Sequence, residues 1–138
     1  MAQLTRITVE ATVNAPVSKV WKTWNTPGDI MQWNTPDPSW HTPSSENDLR
    51  AGGKFKNRME AKDGSMGFDF EAVYDEVSPN RIIYTMSDGR QATTSFEEAG
   101  GSTRVTTTFD AEKTNPVEMQ RAGWQQIMDN FKDYVERE

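Results

Sequence analysis

Histidine is the residue type whose proton exchanges near neutral pH, and this chain has one, His41. It stands beside Trp40 in a stretch that also carries Pro36, Pro38 and Pro43. Two chemical uses fit it: a hydrogen bond to a bound molecule, or proton donation and acceptance in a carbonyl reaction such as a cyclisation. The plain alternative is a loop residue with no chemical duty. Asn57 is the second polar group of interest. An amide between Phe55 and Met59 on an apolar strand face must find a partner or cost about 1–3 kcal/mol. A ligand, a trapped water or a neighbouring strand would each supply one. Thr107, between Val105 and Phe109, poses the same question more weakly, because a hydroxyl is easily satisfied.

Other schemes fall away by counting. A Ser-His-Asp arrangement would have to recruit His41, and no serine sits in a nucleophile-elbow sequence. With no cysteine there is no thiolate nucleophile, disulfide or thiolate metal site. Carboxylate-rich metal sites remain, but Asp69, Glu71 and Asp75 belong to the solvated face of their strand, so no metal and no cofactor is expected. Gly52-Gly53 precedes a strand rather than a helix, which is a bulge or turn and not a phosphate cradle. What survives is an apolar enclosure with a few polar points.

The elements that would form it are legible as periodicity. Ile7, Val9, Ala11 and Val13 alternate with polar residues as a strand with one buried face. Asn14-Ala15-Pro16 opens a helix with Val17, Val20, Trp21 and Trp24 on its stripe. A second short helix follows, with Thr26 as its cap, Pro27 at its first position and Ile30, Met31 and Trp33 on its buried side. From Asn34 to Asp48 periodicity vanishes, which predicts a long loop placed to cover a pocket as a lid, with Trp33 and Trp40 as anchors.

Phe55, Asn57, Met59 and Ala61 then oppose Lys54, Lys56, Arg58 and Glu60. After the Asp63-Gly64 turn, Phe68, Phe70, Ala72 and Tyr74 oppose Asp69, Glu71 and Asp75. The strand from Ile82 to Ser87 turns inward either Ile82, Tyr84 and Met86 or Ile83 and Thr85. Gln91 to Glu97, with Phe96, and Thr103 to Asp110 form the last hairpin across Ala99-Gly100-Gly101-Ser102. Short links between strands imply antiparallel pairing.

Pro116 to Glu138 is a helix with Gln120, Gly123, Trp124, Ile127, Met128, Phe131, Tyr134 and Val135 on one face. Burying six large side chains there gains about 9–18 kcal/mol, whereas ordering the helix costs about 30 kcal/mol, so it needs the sheet as a partner. The expected fold is α+β: a curved antiparallel sheet of about six strands around a long C-terminal helix, with two short helices after the first strand. A twisted sheet cannot follow a straight helix along its whole length, so a cavity is expected between them. Its expected walls are Phe55, Asn57, Met59, Phe68, Phe70, Tyr84, Met86, Phe96, Trp124 and Met128, with Trp40 and His41 above. Gly123, costly inside a helix by about 1 kcal/mol, implies close approach to the sheet or room for a guest.

The 138 residues, 34% apolar, are expected to form one domain. A net charge of −6 with scattered basic residues argues against nucleic-acid or anionic-membrane partners. No run approaches the ~20 apolar residues of a membrane span, and the start from Met1 to Arg6 lacks an apolar targeting core. No membrane insertion and a cytoplasmic location are therefore expected.

The opening strand followed by Asn14-Ala15-Pro16-Val17, Val20-Trp21 and Trp24 resembles the START-related helix-grip (SRPBCC, Bet v-like) superfamily. The strand at Gly52-Gly53-Lys54-Phe55 and the closing Gly123-Trp124 with Ile127, Met128 and Phe131 are most similar to the branch related to activators of the ninety-kilodalton heat-shock chaperone's ATPase. The resemblance implies a sheet gripping the C-terminal helix and a deep apolar pocket used for lipids, polyketides, hormones or other hydrophobic small molecules. Three functions follow as expectations. The first is binding or carriage of a hydrophobic small molecule, with apolar walls for affinity and Asn57 and His41 for orientation. The second is a cyclase or aromatase-type enzyme using His41 in the same pocket. The third is a module acting on the heat-shock chaperone; it ranks last, because 138 residues are expected to leave no room for the additional N-terminal domain through which the activators proper engage the chaperone.

Overall fold

The computed structural model describes residues 5–35 and 38–137. In chain order the elements are β1 (Arg6–Val13), α1 (Val17–Asn25), α2 (Pro27–Trp33), β2 (Trp40–Asn47), β3 (Lys54–Ala61), β4 (Gly67–Ser78), β5 (Arg81–Met86), β6 (Gln91–Ala99), β7 (Ser102–Asp110) and α3 (Val117–Glu136). The strands form one antiparallel sheet in the order β1-β7-β6-β5-β4-β3-β2. It curves into a half-barrel around α3. The expectations for Met1 to Leu4, Pro36 and Glu138 lie outside the described residues.

The sheet has seven strands, and the additional one corrects the expected loop and lid. Trp40–Asn47 pairs with β3 along its length, from Trp40 opposite Ala61 to Asn47 opposite Phe55. It carries no apolar alternation because it is an edge strand. Its pairing slips between His41 and Ser44, where Pro43 sits, and an edge or bulge is where a strand tolerates a residue without an N–H.

Two glycine sites close the sheet. Gly100 and Gly101, at φ 59° and 89°, make the two-residue turn between the paired Ala99 and Ser102, a turn that needs positive φ at both positions. At Gly53 a Cβ would lie 2.0 Å from the Asp48 carbonyl oxygen. Only glycine fits while its own carbonyl accepts from the Tyr74 N–H at 2.8 Å.

Pro16 precedes α1 in an extended conformation and Pro27 starts α2. Thr26 stands at the start of α2 as expected but, contrary to expectation, does not cap it with its side chain; its hydroxyl donates to the Lys22 carbonyl at 2.6 Å, closing the end of α1 instead. On α3 the buried residues are Gln120, Met128, Phe131 and Val135, all on the predicted face. On β5 the inner set is Ile82, Tyr84 and Met86; Ile82 and Met86 are buried.

Candidate ligand cavity

The two halves of α3 meet different surroundings. Phe131 and Val135 are fully buried, and the Phe131 ring is met edge-on by Trp24 and Trp33, at centroid distances of 4.8 and 4.9 Å. Tyr134 adds a hydrogen bond from its hydroxyl to Asp29 at 2.7 Å. This half is therefore clamped by α1 and α2. One to two turns earlier, Gly123, Trp124 and Ile127 are only half buried. Because a curved sheet diverges from a straight helix away from the line of closest contact, a cavity of about 430 Å3 opens there. Small-molecule sites commonly occupy about 300–1,000 Å3.

Strand alternation aims Phe55, Asn57 and Met59 of β3, Phe70 and Tyr74 of β4 and Tyr84 of β5 at this space. Phe55 is the hub of the aromatic wall: its ring lies 4.8 Å from Tyr84, edge-on, 5.1 Å from Tyr74 and 5.9 Å from Phe70. Across the cavity the Trp124 indole stacks on Phe109 at 3.8 Å and 12° and meets the Phe70 edge at 6.5 Å.

The polar groups of the wall divide into spent and free. Thr94 and Thr107 bond to each other at 2.8 Å, which answers the question posed by Thr107. The Met59 sulfur accepts from the Asn34 amide and the Thr42 hydroxyl, both at 3.3 Å. Asn57 Oδ1 accepts from Ser45 Oγ at 2.7 Å, so its neighbour in register on β2 supplies one partner. No described residue accepts from its Nδ2.

Tyr74 and Tyr84 face one another in register, and neither hydroxyl bonds to a described residue. Among the described residues no sealed side-chain nitrogen or oxygen lacks a partner. These free groups are therefore open to the cavity. Burial pushes the Tyr74 hydroxyl up to about 12. It raises Tyr84 too, where Tyr74 adds to the effect and Arg90 opposes it. Both phenols stay uncharged at neutral pH.

Charge is confined to one end. Among the described lining residues, the charged ones are Arg90 and Glu112. Arg90 donates to Asp88 at 2.7 Å and to the Asp110 carbonyl at 3.2 Å. Gln120 braces the adjacent turn: its Nε2 donates to the carbonyls of Glu112 and Asn115 at 3.1 and 2.8 Å, and its Oε1 accepts from the Glu112 N–H at 2.8 Å.

Of the residues expected at the wall, Phe55, Asn57, Met59, Phe68, Phe70, Tyr84, Trp124 and Met128 come together there. Phe68 lies at the rim and is half exposed. Four others lie elsewhere. Phe96 is buried beneath α1, under Trp21 and Trp24 at 5.3 and 5.8 Å. Met86 is buried opposite Ala72, off the cavity wall. Trp40 packs edge-on against Phe68 at 5.9 Å without reaching the interior. His41, one residue along from Trp40 and hence on the opposite face, pairs in register with Glu60. Its Nε2 lies 3.9 Å from Glu60 Oε1, and both side chains are about 40% exposed (44% and 39%).

Sequence reasoning passed over Tyr74, although it stands in phase with Phe68 and Phe70, and over Asn25, Asn34, Asn47 and Arg90, which had no periodic signal. Among the described residues no cluster of His, Cys, Asp or Glu could hold a metal ion, and no helix is long and apolar enough to cross a membrane.

Residues 14–136 match the family described as "Activator of Hsp90 ATPase homolog 1-like protein". A solution structure of an AHSA1-like protein from Aeromonas hydrophila is 44% identical, covering 96% of this chain and 93% of that one, with a TM-score of 0.89. A solution structure from Cytophaga hutchinsonii is 51% identical over 96% of this chain and 92% of that one, at a TM-score of 0.84. A crystal structure from Nitrosomonas europaea shares the fold at 21% identity and a TM-score of 0.83, over 96% of this chain and 94% of that one. Among curated proteins, none matches the chain.

Proposed function

The chain belongs to the family of Activator of Hsp90 ATPase homolog 1-like proteins, of the helix-grip fold, and on that premise we propose that it binds a hydrophobic small molecule between the sheet and α3. The observation that carries this reading is the cavity of about 430 Å3 walled by Phe55, Phe70, Tyr74, Tyr84 and Trp124. Aromatic and methionine side chains left facing empty space forgo contacts that a guest would restore, and Met59 and Met128 adapt readily to its shape. Solvent extraction of the purified protein with mass spectrometry, followed by thermal-shift screening against lipids, polyketides and aromatic compounds, tests it. Bound guests or concentration-dependent stabilisation are expected, and the absence of both across the panel overturns it.

The cyclase-type alternative has lost its motive, since His41 faces away from the cavity beside Glu60. The chaperone reading rests on the family description. A pull-down with an ATPase assay decides it, and no binding at micromolar concentration would end it.

A further inference from the structure

The cavity's polar groups are numerous yet almost all uncharged. Asparagine amides, the Thr94–Thr107 pair and two phenols supply the polarity of the wall. Arg90 and Glu112 are confined to the end beside the connection from β7 to α3.

That charged end does not form a seat for an anion. The Arg90 guanidinium already donates to Asp88 and to the Asp110 carbonyl. The Asp110 carboxylate, 8% exposed, lies 3.5 Å from Arg6 and accepts from the Gln91 N–H at 2.9 Å. Glu112 accepts from the Asn115 amide. Of these five groups only Arg90 and Glu112 line the cavity, and each already has a partner. A further carboxylate or phosphate would find no unpartnered cation among the described lining residues, and burying an unpaired charge is far costlier than burying a neutral acceptor.

Neutral donors await such an acceptor. The Tyr74 and Tyr84 hydroxyls are opposite one another, flank Phe55 and have no partner among the described residues. Asn57 Nδ2 and Trp124 Nε1 likewise find no described acceptor.

We propose that the occupant of this cavity is an uncharged, largely apolar molecule bearing an acceptor oxygen, a ketone, ester or ether, which the Tyr74 and Tyr84 hydroxyls hold, and that carboxylates and anionic lipids are excluded. The inference rests on the reading of the cavity as a binding site and adds its selectivity. The raised phenol pKa values keep both donors protonated throughout the neutral range.

Three probes of one skeleton separate the terms: diphenylmethane, benzophenone, which adds a carbonyl, and para-benzoylbenzoate, which adds a carboxylate. Calorimetric titration of the full chain at neutral pH is expected to rank benzophenone about fivefold tighter than diphenylmethane, for one net hydrogen bond. It should also bind about tenfold or more tighter than para-benzoylbenzoate.

In Tyr74→Phe/Tyr84→Phe the ketone and the hydrocarbon should bind alike. Neither hydroxyl bonds to a described residue, so the substitution removes no bond among the described residues, and retained hydrocarbon binding reports an intact fold. Equal or tighter binding of the carboxylate by the wild-type chain overturns the proposal, as does a ketone advantage that survives in the double variant. If diphenylmethane binds as tightly as benzophenone, the selectivity falls while the binding function stands. If none of the three binds, the selectivity proposal falls, and the binding function falls with it only when solvent extraction and the thermal-shift panel are negative too.

Discussion

Trp124→Ala and Phe131→Ala truncate two aromatic side chains two turns apart on the same face of α3, and their relative cost tests whether the cavity exists. By size alone the tryptophan should be the greater loss, since an indole buries up to about 250 Å2 at roughly 25 cal/mol per Å2. The structure reverses that order. Phe131 is completely enclosed and is held edge-on by Trp24 and Trp33, so its removal leaves a sealed void and costs about 4–5 kcal/mol. Trp124 presses one face on Phe109 and turns the rest of its surface to the cavity. Removing it forfeits about half of a buried indole and enlarges a space that is already open, at a cost of about 2–3 kcal/mol.

For a chain of this length about 4 °C accompanies each kcal/mol. The melting temperature should therefore fall by roughly 16–20 °C for Phe131→Ala and by roughly 8–12 °C for Trp124→Ala. Urea unfolding with an unchanged m value, alongside calorimetry, provides the measurement. A ligand-free Trp124→Ala protein as unstable as Phe131→Ala, or less stable, would refute the reasoning, because it would mean that Trp124 is packed on all sides.

Three further outcomes are expected. His41→Ala should leave affinity for any cavity guest unchanged within about twofold by calorimetric titration, since the imidazole lies on the outer face against Glu60. Gly53→Ala should cost about 3 kcal/mol in urea unfolding, because its Cβ would collide with the Asp48 carbonyl. Alkali should weaken the fold. With Tyr74 raised to about 12 and Tyr84 also raised by burial, the unfolded chain releases these protons from about pH 10. The stability they contribute is thus complete below pH ~10 and is lost as pH climbs toward ~12, by about 2–3 kcal/mol for Tyr74 alone. Phenolate absorbance of the folded protein should accordingly show Tyr74 and Tyr84 titrating late.

The wall facing the helix was largely readable. Phe55, Asn57, Met59, Phe68 and Phe70 declare their common face by alternating with charged residues, and Trp124 and Met128 by helical spacing. β2 was not readable, because an edge strand of Trp-His-Thr-Pro-Ser-Ser-Glu-Asn is recognised by the partner it pairs with and not by its own pattern. The misplacement of His41 followed from that: with 34–48 read as a lid, its imidazole was expected over the pocket, whereas strand alternation turns it outward. Phe96 and Met86 have the right parity, but parity assigns a side of the sheet and not a position along it. α1 covers one, and packing around Ala72 buries the other.

Local periodicity determined the types of the elements other than β2, the antiparallel pairing and the apolar faces, since each depends on neighbours within a few residues, and the ordered motifs from Asn14 to Phe131 carried the resemblance to the helix-grip fold. The tertiary structure decided where along α3 contact with the sheet gives way to empty space, and which polar atoms are left over. Tyr74, Tyr84 and Asn57 became a group of unspent hydrogen-bonding atoms only through the register that spends Asn57 Oδ1 on Ser45 and sets the two phenols side by side. Register is fixed by which faces the folded sheet buries, and that burial is a property of the whole layer and of no short stretch of sequence.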